Sequence, residues 1–257
     1  MQTRFRLMLL LALAAALVPP LAAPARAGEA LLAVAANFAE VTDILGKAFT
    51  ARTGHKLTVT VGSTGKLYAQ ILNGAPFDIF LAADRRRPEL LERGGLALAG
   101  SRFTYATGQL SLWSADPGII GADGPAVLKQ GGFRALAIAN PALAPYGRAS
   151  RETLTALKLW QALKSRIVMG QNAGQTFALI SSGNAELGFI PRSARLSPRN
   201  PAPGSYWDIP AELHSPIRQD ALVLARAAKN PAATAFMRFL KSPEAVTVIR
   251  QFGYGVD

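Results

Sequence analysis

The chain has 257 residues, half of them hydrophobic and 17% charged, with a formal charge of +12 and no cysteine. That apolar content supports one large core or two modest ones without staples, and the missing cysteines exclude a disulfide framework and a lipid anchored on a cysteine. The charge admits nucleic acid, a membrane surface, or a field that draws small anions into a cleft. Its basic residues are scattered, with Arg85-Arg86-Arg87 the one run, which reads as a solvated helix start and argues against nucleic acid.

In chain order, Arg4 and Arg6 precede an apolar run from Leu7 to Val18, and Ala25-Arg26-Ala27 forms a small-x-small cleavage site. Residues 1–27 are therefore expected to be a secretory signal peptide, leaving a soluble periplasmic product that begins near Gly28. The run is shorter than the ~20 residues that span a bilayer, and Pro19-Pro20 interrupts it. This leader holds Arg4, Arg6 and Arg26 and no acid, so +12 falls to +9 after its removal, still strongly basic.

Short β-branched or alternating runs follow at Leu31 to Ala35, Leu57 to Val61, Asp78 to Ala82, Leu110 to Trp113, Ala135 to Ala139, Ile167 to Met169 and Leu187 to Ile190. They alternate with helical stretches, which predicts an α/β fold with largely parallel sheets. Phe38, Val41, Ile44, Leu45 and Phe49 fall on one helical face that ends at Gly54, with Asn37 in the N-cap place. Gly62-Ser63-Thr64-Gly65 leads into a second amphipathic helix that Gly74 closes. A crossover is expected near Thr107-Gly108-Gln109, a loop from Pro141 to Gly147, and a helix from about Arg151 to Leu163 with Tyr146 at its entrance. Gln171 to Gln175 opens a last helix that runs through Ile180 to Gly183.

Four strand-to-helix turns thus carry small or polar residues. A helix start leaves N–H groups unpaired and bears partial positive charge, so such turns at the carboxyl ends of strands are ready anion sites. The plain alternative is that Asn, Ser and Thr are ordinary caps that say nothing about ligands. Lys66 and Arg192 are expected to face solvent, and Trp113, Trp160 and Trp207 to pack. His55 and His214 are too far apart in sequence to suggest zinc. Ser63 and Thr64 lack a Gly-x-Ser-x-Gly elbow and a placed histidine, so no enzyme is expected.

Ala33-Val34-Ala35-Ala36-Asn37-Phe38, Gly62-Ser63-Thr64-Gly65 with Tyr68-Ala69-Gln70-Ile71, Asn73-Gly74-Ala75-Pro76 and Ala82-Ala83-Asp84 carry a resemblance to a known family. Gly100 to Ala106, Ala139-Asn140-Pro141, Ala144-Pro145-Tyr146-Gly147, Ser182-Gly183 and Leu187-Gly188-Phe189 extend it. Over essentially the whole chain past the leader, the sequence resembles the periplasmic molybdate-binding proteins of ABC transporters. The resemblance implies a two-lobe, type II periplasmic binding fold with the ligand in the hinge cleft. Residues 28–108 and 217–257 would form one lobe and residues 109–216 the other.

Carried over by position, the family's oxyanion contacts fall on Ala36 and Asn37, Thr64, Tyr146 and Ala173, which would hold molybdate or tungstate through its oxygens. Asn37 would donate through side chain or backbone, Thr64 through hydroxyl and backbone, Ala173 through its N–H, and Tyr146 through phenol or N–H. Ala36 stands where relatives often have a hydroxyl, Thr64 replaces a commoner serine, and Pro191 falls where some relatives place a tyrosine contact. The implied partners are a small oxyanion and a membrane permease, with no cofactor and a monomeric chain; sulfate, phosphate or a small organic anion are the rival ligands.

Overall fold

The computed structural model of the chain describes residues 27–199 and 202–256. The expected leader, residues 1–27, therefore lies outside the described residues except for Ala27.

Among the described residues ten strands form two five-stranded sheets. They are β1 (Glu29–Ala35), β2 (Lys56–Gly62), β3 (Ile79–Leu81), β4 (Phe103–Gly108), β5 (Leu110–Ser114), β6 (Leu136–Ala139), β7 (Ile167–Gly170), β8 (Leu187–Pro191), β9 (Ser205–Asp208) and β10 (Ile217–Val223). The first sheet has the order β2-β1-β3-β10-β4 and the second β7-β6-β8-β5-β9. Only Gln109 separates β4 from β5, so the chain passes directly from one sheet to the other, and it returns between β9 and β10.

The expectation of largely parallel sheets needs correction. β1 pairs in parallel with β2 and β3, and β6 with β7 and β8, whereas β10 is antiparallel to β3 and β4, and β5 to β8 and β9. Strands joined through a helix can run parallel, but those that carry the chain between sheets enter from the other end.

Alternation along the strands builds a core on both faces of each sheet. Leu32, Val34, Ile79 and Leu81 pack with Phe38, Phe49 and Phe236 on one face of the first sheet, and Ala33 and Phe80 with Leu67 and Leu91 on the other. In the second sheet Leu136 and Ile138 face Leu154 and Phe189, while Ala135 and Ala137 face Trp113 and Ile180. Trp113 is 3% exposed and stacks on Phe177, in keeping with a packing role.

Two helix readings change. Asn37 lies inside a 3-10 turn, Ala36–Phe38, and caps nothing; the helix proper is Ala39–Thr53, closed by Gly54 at φ 73°. The helix expected from Arg151 to Leu163 starts at Pro145, in place of part of the expected loop, and ends at Ala156; a separate turn covers Trp160–Leu163. Between them Lys158 takes φ 62°, and the N–H of Leu159 donates to Leu154 O at 2.8 Å, a left-handed closure made without glycine.

Candidate functional site

The turns after β1, β2, β6 and β7 converge. Ala35, Ala36 and Asn37, then Gly62, Ser63 and Thr64, then Ala144, Pro145 and Tyr146, and finally Asn172 and Ala173 line one cavity with Ala83. All five residues expected to touch the ligand are on that list. The cavity is small and tight, with about 10 Å³ of room for the centre of a water-sized sphere. Among the described residues no lysine, arginine, aspartate, glutamate or histidine lines it.

Each turn is shaped by a local rule. Ser63 caps the Thr64–Leu72 helix, its hydroxyl accepting from the Lys66 N–H, so the capping role belongs to Ser63 and not to Thr64. Thr64 is 1% exposed, and its hydroxyl oxygen accepts the Ala83 N–H at 3.0 Å. That bond occupies a lone pair and leaves the hydroxyl proton to donate. Asn172 caps the Ala173–Ser181 helix through the Gln175 N–H at 3.0 Å. Pro145 opens the Pro145–Ala156 helix, where its lack of an N–H costs nothing, and Tyr146 follows in the first turn. The N–H groups of Thr64, Tyr146 and Ala173 are first-turn donors that no carbonyl of their own helix can reach. Three helix starts and one 3-10 turn therefore aim partial positive charge at the same space.

The Asn37 side chain is committed elsewhere. Its Nδ2 donates to Gln219 Oε1 at 2.8 Å and to the Tyr254 hydroxyl at 3.1 Å, while that hydroxyl donates to Asn37 O at 2.7 Å. Ser193 Oγ lies 2.9 Å from the Tyr254 hydroxyl. Burial pushes the Tyr146 and Tyr105 phenols well above the usual tyrosine range and Tyr254 up to about 12, so all three keep their protons near neutrality. Gln219, Tyr254 and Ser193 were not singled out from the sequence. They sit in a strand, a C-terminal turn and a short helix with no motif of their own.

The two sheets are held together beside the cavity. The Gly65 N–H donates to Leu143 O at 2.8 Å, and a Cβ at Gly65 would lie 2.9 Å from that oxygen, so only glycine allows the approach. Arg87, ion-paired with Asp84, donates to Ala142 O at 3.0 Å. Ser197 donates to Glu40 at 2.8 Å, and Arg199 pairs with Asp43. Lys66 is exposed, and Arg192 is engaged with Gln109 and Asp208 away from the cavity. His55 Nδ1 accepts the Gly28 N–H, and neither histidine lines the cavity. Among the described residues no cluster of three or more His, Cys, Asp or Glu could hold a metal ion.

The family described as bacterial extracellular solute-binding protein matches residues 30–255. The molybdate-binding protein ModA of Azotobacter vinelandii is 47% identical over 237 residues, covering 92% of this chain and 94% of that protein. The molybdate-binding protein ModA of Rhodobacter capsulatus is 44% identical over 243 residues, covering 95% and 94%. A solved structure of the Azotobacter vinelandii periplasmic molybdate-binding protein superposes with a TM-score of 0.85 at 41% identity, covering 89% of this chain and 99% of that one. With its two-lobe α/β fold and its cleft of four converging turns, the chain belongs to the bacterial extracellular solute-binding protein family.

Proposed function

We propose that this chain is an extracytoplasmic substrate-binding protein that captures molybdate or tungstate and delivers it to the membrane permease of an ABC transporter. The observation that carries the reading is the cavity: donors from both sheets surround a small space that contains no charged side chain. A fully deprotonated tetrahedral dianion suits such a shell, because neutral N–H and O–H groups backed by helix dipoles replace its lost hydration without a counter-ion. The names of the relatives at 47% and 44% identity support the choice of ion.

In this reading Ala36 and Asn37 present backbone N–H groups, since the Asn37 amide already serves Gln219 and Tyr254. Thr64 donates hydroxyl and N–H, Tyr146 its phenol or N–H, and Ala173 its N–H. Molybdenum is held through its oxygens and is cargo, with no cofactor and no reaction. The lobes correspond to residues 28–108 with 217–257 and residues 109–216, and the bonds of Gly65 and Arg87 across them belong to the closed, loaded state. Export, cleavage near Ala27 and a monomeric product complete the proposal.

Calorimetric titration of the chain without its leader, with molybdate, tungstate, sulfate and phosphate in competition, tests it. One molybdate or tungstate per chain with similar affinity and much weaker sulfate is the expected result. Sulfate binding as tight as molybdate would move the assignment to another oxyanion, and no oxyanion binding at all would end it. Uptake that persists after deletion of the cognate permease would contradict the transport role.

A further inference from the structure

Ala83 lines both the cavity and an open groove that carries Arg85, Arg86, Arg148 and Arg218. Arg85 and Arg86 follow β3 and Arg218 stands on β10, both strands of the first sheet, whereas Arg148 belongs to the helix that follows β6 of the second. All four are exposed. The acids of the groove are engaged: Asp84 pairs with Arg87, and Glu89 lies 3.7 Å from Arg85 and 3.6 Å from Arg102. Arg148 reaches Glu152 at 3.6 Å, and among the described residues Arg86 and Arg218 form no ion pair. The groove has about 500 Å³ of room for the centre of a water-sized sphere, against about 10 Å³ in the cavity. An ion that still carries its hydration shell fits the first and not the second.

The cavity holds no charged side chain, and the pull of a helix start fades within about one turn. A dianion that approaches through water is therefore drawn by formal charge outside the cavity. Arg85 lies two residues beyond Ala83 and Arg148 two beyond Tyr146, both of them cavity residues. Their Cα atoms are thus at most ~7 Å from the cavity wall, inside the ~8 Å Debye length of physiological salt. We propose that the arginine groove is a first-contact site for dianionic tetrahedral oxyanions, which holds them loosely with their water and raises their concentration beside the cavity. This assignment rests on the oxyanion-capture reading above. It divides the work: the groove sets how fast the ion arrives, and the neutral shell of the cavity sets how slowly it leaves. Sulfate is drawn to the groove as molybdate is, so selection falls to the cavity alone.

Stopped-flow association and release of molybdate, with affinity by calorimetry, test this division on the chain without its leader. Replacing Arg86, Arg148 and Arg218 together by Gln should slow association at least about tenfold at low salt and leave release within about twofold of wild type. At about 0.5 M salt, which cuts the Debye length to roughly 4 Å, the difference in association should shrink to about threefold or less. Lys129, Lys164 and Lys229 are exposed and line neither space. Changing these three to Gln removes the same formal charge and should alter association by no more than about twofold. Arg86→Gln with Arg218→Gln repeats the test should the triple variant melt lower than wild type, with at least about threefold slower association expected. An unchanged association rate, an equal loss in the lysine variant, or a loss carried mainly by release overturns the assignment. Wild type that binds no oxyanion takes down the transport reading itself, whereas tight binding by wild type at the same rates as the arginine variants removes only the role of the groove.

Discussion

Thr64 shows how one hydroxyl divides its work. Its oxygen accepts the buried Ala83 N–H, and its proton is left for a ligand. Thr64→Ala should therefore weaken molybdate binding by roughly ten- to hundredfold, the ~1.5 to 3 kcal/mol of a hydrogen bond to a charged group. Thr64→Ser should stay near wild type, as both hydroxyl functions survive. Calorimetry on the two variants checks this, and equal affinities would remove the hydroxyl from the site. The residue types at these turns were legible in the sequence, but their roles were only partly so. Asn37 had the position of a cap, yet the 3-10 turn rotates it toward Gln219 and Tyr254, which arrive from more than 180 residues away. No local pattern announces such partners.

The buried phenols add a pH expectation. Tyr254 is raised from the ordinary tyrosine value of 10 to about 12 by burial, with Tyr146 and Tyr105 also raised. A raised folded pKa means that stability is fully present below the unfolded value and is lost as pH climbs through the folded one. Melting temperature should thus decline from about pH 10 upward through about 12 on this account, while molybdate affinity stays flat between about pH 7 and 9, where no group lining the cavity titrates. A step in affinity within that range would show that an unrecognised ionisable group takes part.

At the scale of elements, the site depends on how closely helix starts approach across the cleft. Gly65→Ala places a methyl 2.9 Å from Leu143 O and should force the Thr64–Leu72 helix away from the opposite lobe. The expected result is at least about tenfold weaker binding, through faster release, with the ligand-free melting temperature unchanged or raised, since alanine favours helix over glycine by up to ~1 kcal/mol. Stopped-flow release of molybdate and a melting curve separate the two effects; a slower or unchanged release rate would contradict it. The seven strands read from the sequence all exist, because their apolar alternation faces two packed layers. β4, β9 and β10 were missed: β10 is interrupted by Gln219 and Asp220, buried polar side chains that are satisfied by tertiary partners. The helices Pro231–Phe239 and Ser242-capped Pro243–Gln251 did carry a signal, a cap residue followed by proline at the first position, at Asn230-Pro231 and Ser242-Pro243.

For the whole molecule, two similar sheets joined by short crossings give a cleft whose donors come from both sides. Ligand can favour the closed arrangement only through that difference in contacts. Small-angle scattering should show compaction on adding molybdate, and no change at saturation would contradict closure as the loaded state. The two-lobe plan was legible in the alternation of strands and helices together with the family resemblance, whereas the antiparallel half of each sheet was not, because it follows from how the chain crosses and returns. The claim that an oxyanion sits where the four turns meet is tested most directly by anomalous diffraction at the molybdenum edge, from crystals grown with molybdate. One strong peak within the cavity, among Thr64, Tyr146 and Ala173, is the expected result. A peak elsewhere, for instance in the groove lined by Arg85, Arg86, Arg148 and Arg218, with the cavity empty, would contradict it.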